Sequence, residues 1–119
     1  MAKILIIEDA SYLRTMYRKM IGLIGDHEVI EAANGSEGIS KICSDQPDIV
    51  LADLLMPEMN GIELLTALRD TNVDANVIIV SSNTDVPTTD RCFDLGVSAY
   101  LSKPLKKEDL QKAIEKIIG

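Results

Sequence analysis

Five short apolar runs punctuate the chain, Ile4–Ile7, Val29–Ile30, Ile49–Ala52, Val77–Val80 and Ala99–Leu101, and a stretch with helical spacing follows each. Strands joined through crossover helices run parallel, and right-handed crossovers place helices on both faces of the sheet. The pattern predicts a three-layer α/β/α domain of five β-α units. The first helix carries Leu13, Met16, Tyr17, Met20, Ile21 and Ile24, and the last carries Leu110, Ala113, Ile114, Ile117 and Ile118. Both sets keep the i, i+3, i+4, i+7 rhythm that gathers an apolar stripe on one helix face. Met16 and Met20 read as core fillers. Asn34-Gly35 and Asn60-Gly61 mark the starts of the second and third helices, and Pro87 fits the first turn of a fourth.

Strand order follows from polarity. Strands covered on both faces read as unbroken apolar runs, whereas edge strands tolerate charge. Glu28 and Glu31 flank the second run, and Ser98 precedes a short fifth, so both belong at the edges. The doubly wound order 2-1-3-4-5 places them there. Its switch point, where ligands bind beyond the carboxyl ends of the strands, lies between strands one and three.

At 119 residues and 46% apolar content, the chain is expected to form one domain, 1–119. The net charge of −7, from 12 basic and 19 acidic residues, argues against nucleic acid or an anionic membrane and for a protein partner or a cation. No run approaches the roughly 18 apolar residues of a membrane span, and the opening apolar segment is too short for a secretion signal. The expected location is the cytoplasm. Cys43 and Cys92 make neither a CxxC pair nor a disulfide framework and are expected as buried, reduced thiols. His27 reads as a surface turn residue, and Arg14 and Arg18 share a helix face that is either solvated or presented to a partner.

At the strand ends stand Glu8-Asp9, Asp53, Ser81-Ser82 and Lys103-Pro104. Three crowded carboxylates repel one another unless a cation or proton intervenes. Oxygen donors without His or Cys suit Mg²⁺, which keeps waters and leaves positions for a phosphoryl group. A carboxylate can attack phosphorus if positive charge neutralises the equatorial oxygens. Asp53 is the best-placed nucleophile, with Lys103 as countercharge and Ser81 as hydroxyl donor. Ser81 is preferred over Ser82 because it directly ends the fourth run.

The stretches "ILIIED", "DLLMPEMNG", "VSS" and "AYLSKP" resemble, in order, the motifs of the response-regulator receiver domain of two-component signalling. The resemblance implies a flavodoxin-like (βα)5 fold and a phosphorylation switch rather than an enzyme, with at most autophosphatase activity. It assigns Asp53 as phosphoacceptor; Glu8, Asp9, Asp53 and the Leu55 carbonyl as Mg²⁺ ligands; Ser81 and Tyr100 as switch residues; Lys103 as the lysine. Ser82 falls at the small-residue position, Leu55 and Asn83 at positions that tune phosphoryl lifetime, and Lys103-Pro104 at a cis peptide. Implied partners are a sensor histidine kinase or phosphotransfer protein, and a downstream protein contacted through the fourth helix, strand five and the fifth helix. With the last helix running to Gly119, the expectation is a stand-alone regulator of chemotaxis type, although a phosphorelay intermediate has the same layout. Two features depart from the family pattern: Glu8 where Asp is commoner, and Leu105 where an aromatic is frequent.

Other uses of such a fold fit less well. Mg²⁺-dependent phosphohydrolases with an aspartate nucleophile resemble D-x-D, and Leu55 occupies the second acid's place. A flavin carrier needs a phosphate loop after strand one, where Glu8 and Asp9 would repel the phosphate.

Overall fold

Residue parity along the strands explains how one sheet serves two cores. A computed structural model describes residues 1–119. The strands are β1 (Lys3–Ile7), β2 (Glu28–Ala32), β3 (Ile49–Asp53), β4 (Val77–Ser81) and β5 (Ala99–Ser102). The helices are α1 (Ser11–Ile24), α2 (Gly35–Asp45), α3 (Gly61–Asp70), α4 (Val86–Asp94) and α5 (Lys107–Ile118). All strand pairs are parallel, in the expected order β2-β1-β3-β4-β5.

Successive side chains alternate between the faces of a strand. Leu5, Ile7, Val50, Ala52, Val77 and Ile79 pack with Ile42 of α2, with Leu64, Leu65 and Leu68 of α3, and with Cys92 of α4. Ile4, Ile6, Ile49, Leu51, Ile78 and Val80 pack with Tyr17 and Ile21 of α1 and with Leu110, Ala113 and Ile114 of α5. The central strands therefore bury both faces, which is why their sequences are unbroken apolar runs. Leu105 is buried in the α1/α5 core, so the position that lacks an aromatic is still packed.

Local signals set the helix starts. Asn34 and Asn60 cap α2 and α3 by accepting the amides of Glu37 and Glu63, and the Glu63 carboxylate accepts the Asn60 amide to complete a capping box. α4 is poor in helix formers, yet Asp85 accepts the Thr88 amide ahead of Pro87 and starts it cleanly. The Lys103–Pro104 peptide is cis.

Several expectations need correction. Cys92 is buried but Cys43 is exposed, and Met16 is 43% exposed while Met20 is half-buried; apart from these, Phe93 of α4 also turns outward. Each outlying residue adjoins a buried one: Ile42, Tyr17 and Cys92. Neighbours on a helix point about 100° apart, so only one of the two can face the sheet. His27 is half-buried and accepts the Ala2 amide at Nδ1 over 3.0 Å, tying the α1–β2 turn to the start of β1.

The approach of α2 to β1 depends on Gly38. A Cβ there would lie 2.3 Å from Ile7 Cδ1 and 2.9 Å from Ile7 Cγ1, inside the core. Gly22 of α1 has nothing within 4 Å of the same point. Overpacking costs about 1–3 kcal/mol, and Ala gains about 1 kcal/mol over Gly in a helix. Gly22→Ala should therefore raise the urea midpoint and Gly38→Ala lower it. Two shifts of the same sign would show that propensity, not packing, sets these positions.

Candidate active site at the switch point

The acids meet because of register. β1 pairs with β3 through Ile4↔Ile49 to Ile7↔Ala52, and one more step sets Glu8 against Asp53. Both share the parity of the α1/α5 face, as does Lys103 beyond Leu101. Ser81, two residues after Ile79, takes the parity of the other face, which it shares with Tyr100. Asp53 and Ser81 are the last residues of β3 and β4 rather than the first residues beyond them.

Asp53 is only 4% exposed. Its Oδ1 accepts the Leu55 amide at 3.2 Å, and its Oδ2 is ion-paired with Lys103 Nζ. The loop beyond buries Leu54 and Met56 and exposes Leu55, so the alternation anchors the chain on both sides of Leu55. Glu8 is buried, and its Oε1 accepts the Ala10 amide at 3.1 Å. Its Oε2 is buried with no partner when ionised. Burial, and next a hydrogen bond to Asp53 that only the protonated form can donate, push the Glu8 carboxyl up to about 8. With its carboxyl raised, Glu8 carries a proton that a cation could replace. Tyr17, buried below, has its phenol raised first by burial and then by the negative charge of Asp53 and Glu8.

Asp9 is exposed beside Glu8 with its side chain within hydrogen-bond reach of the Glu8 carboxyl, so the three acids converge with two of them buried, and the acids alone form no closed metal cage. An orphaned buried oxygen, an adjacent carboxylate and an all-oxygen donor set fit a hard cation that keeps most of its waters. The structure thus brings Glu8, Asp53 and Lys103 into contact and leaves Asp9 at the rim.

Ser81 is buried and Ser82 exposed. Ser81 Oγ accepts the Asn83 amide at 2.9 Å, and the Tyr100 hydroxyl donates to the Asn83 carbonyl at 2.5 Å. The two residues therefore grip one peptide segment of the β4–α4 loop. Sequence reasoning singled out Ser81, Tyr100 and Asn83 separately and carried no signal of this shared attachment. It also missed Tyr17 under the acids, which reads as one more apolar-stripe residue.

The family model for the response regulator receiver domain matches residues 4–115. The chain is 37% identical to the nitrate/nitrite response regulator protein NarL of Escherichia coli (strain K12), over 95% of this chain and 53% of that protein. It thus spans about half the length of that relative. It is 33% identical to the chemotaxis protein CheY of Listeria monocytogenes, over 98% of both chains. The crystallised chemotaxis protein CheY4 of Vibrio cholerae superposes with a TM-score of 0.88 at 27% identity, over 99% of each chain. A receiver domain protein from Clostridium thermocellum gives 0.90 at 28%, covering 99% of this chain and 94% of the other. Acids, lysine and hydroxyl at the switch point agree with a match that runs through all five strands, and the chain belongs to the response regulator receiver domain family.

Proposed function

We propose that the protein is a phosphorylation switch in which Asp53 accepts a phosphoryl group in the presence of Mg²⁺ and signals by binding another protein. The observation that carries this reading is the state of Asp53: buried, ion-paired with Lys103, and next to the unpartnered oxygen of Glu8. Glu8, Asp9, Asp53 and the Leu55 carbonyl would hold the metal, with Glu8 reaching it through water. Bound there, Mg²⁺ supplies charge neutralisation for the phosphoryl oxygens.

An Asp53 carboxylate oxygen forms the new O–P bond as the P–N bond of a phosphohistidine breaks. The electron pair leaves with the imidazole nitrogen. Lys103 moves from Asp53 Oδ2 to a phosphoryl oxygen, and Ser81 turns its hydroxyl to another. The Asn83 amide then loses its acceptor, freeing the loop that Tyr100 also holds, and α4 with β5 shifts toward a second arrangement. The donor is a histidine kinase or phosphotransfer protein, and the output surface is α4, β5 and α5, where Val86 and Phe93 are exposed.

Similarity to CheY proteins over nearly their whole length favours a single-domain regulator, 1–119, acting in the cytoplasm in chemotaxis. The NarL similarity favours a second reading, the same switch with another output. No helix is long and apolar enough to cross a membrane. Incubation with acetyl phosphate and Mg²⁺ should add one phosphoryl group to the intact mass, and none in Asp53→Asn or with excess EDTA. Sustained turnover of phosphomonoesters would instead identify a hydrolase.

A further inference from the structure

The β1–α1 turn, Glu8-Asp9-Ala10, contains neither glycine nor proline to set its course. Arg14 reaches back to it from the next turn of helix. Its Nη1 donates to the Glu8 carbonyl at 2.7 Å and to the Asp9 carbonyl at 3.2 Å, while its Nε donates to Glu31 Oε1 at 3.1 Å. Glu31 is itself anchored: Arg18 Nε donates to its other oxygen at 2.7 Å, and Lys41 Nζ donates to its carbonyl. The Arg14 side chain is 19% exposed and that of Glu31 31%, so the pair is half-buried.

A guanidinium is a planar fork whose N–H groups point in fixed directions. Three acceptors on one fork lock the acid-bearing turn to the edge strand β2. We propose that Arg14 is a positioning residue of the cation site: by fixing the carbonyls of Glu8 and Asp9 it sets where their carboxylates point, without itself touching Asp53, the cation or the phosphoryl group. This rests on the Mg²⁺ site proposed above. The role is geometric, because Arg14 lies on the carbonyl side of the turn. Arg18 shares Glu31 but reaches no carbonyl of that turn, only Val29 at 3.3 Å, and so is the natural control.

The test is a Mg²⁺ titration of the full chain, followed through the amide resonances of Ala10 and Leu55, which donate to Glu8 and Asp53. Residues that orient metal ligands typically alter affinity by about 10- to 100-fold. Arg14→Gln should weaken Mg²⁺ at the lower end, about tenfold, and leave the labelling rate at saturating Mg²⁺ within about twofold. Arg14→Lys, which keeps the charge but not the fork, should not restore affinity, and Arg18→Gln should leave it unchanged. Wild-type affinity in Arg14→Gln, or full rescue by Arg14→Lys, overturns the proposal. Should Arg14→Gln fail to fold in a urea melt, Glu31→Ala, which frees the anchor, is expected to weaken Mg²⁺ severalfold, and wild-type affinity there would be equally contrary. A wild-type protein whose resonances ignore Mg²⁺ would show that the cation site itself is misassigned, and the Arg14 role would fall with it.

Discussion

Glu8→Gln should stabilise the metal-free protein by a few kcal/mol at about pH 9 and by little at about pH 5, at about 1.4 kcal/mol per unit of pKa displacement. The reason is the proton that Glu8 carries in the folded protein. Glu8 titrates near 4.5 when unfolded and is raised to about 8 in the folded protein, first by burial and then by its hydrogen bond to Asp53. Between those pH values the folded state holds a proton that the unfolded state has released. Rising pH therefore favours unfolding across this window, and the loss is complete above about 8. Glutamine keeps a donor toward Asp53 and does not titrate. Urea melts in EDTA at several pH values, with the mutant subtracted from wild type, cancel the remaining groups. Parallel curves would contradict the account. Mg²⁺ should stabilise the wild type most at the alkaline end, where the carboxylate is ionised and unpartnered, and Glu8→Gln much less.

Lys103→Ala should lower the rate of phosphoryl acceptance by about 100-fold or more at saturating Mg²⁺, the typical effect of removing one preorganised charge from a transition state that spreads negative charge over oxygens. Lys103 is the only cation paired with Asp53, and it directly follows the last residue of β5. Its loss also leaves Asp53 buried beside Glu8 without countercharge, which a thermal melt run alongside would register. A rate within about threefold of wild type would move the catalytic charge elsewhere.

The layer architecture and strand order were legible because they follow from coarse features: unbroken apolar runs in β1, β3 and β4, and glutamates around β2. The site was legible for the same reason. An acid at the end of a doubly buried strand is conspicuous, and Asp53 and Glu8 each end or follow such a run, whereas Lys103 follows the edge strand β5. Features finer than one helical turn were not. Met16, Cys43 and Phe93 each adjoin a buried neighbour, and apolar period alone does not choose between residues 100° apart. Links made across the fold were also hidden: the Arg14–Glu31 pair spans 17 positions, and the Ser81 and Tyr100 contacts meet on a loop peptide with no distinctive sequence of its own. The three acids meet, but not on equal terms. Glu8 and Asp53 are buried and fixed by strand register, whereas Asp9, one residue further along the turn, is exposed while its side chain still reaches Glu8.

The central claim, that Asp53 and no other carboxylate takes the phosphoryl group, is tested most directly by trapping the acyl phosphate chemically. Borohydride reduces an aspartyl phosphate to homoserine, so the phosphorylated protein can be reduced, digested and sequenced by mass spectrometry. Homoserine at position 53, dependent on Mg²⁺ and acetyl phosphate, is the predicted result. Reduction at Asp9 or Glu8, or an unmodified Asp53 in protein that carries a phosphoryl group, would contradict it.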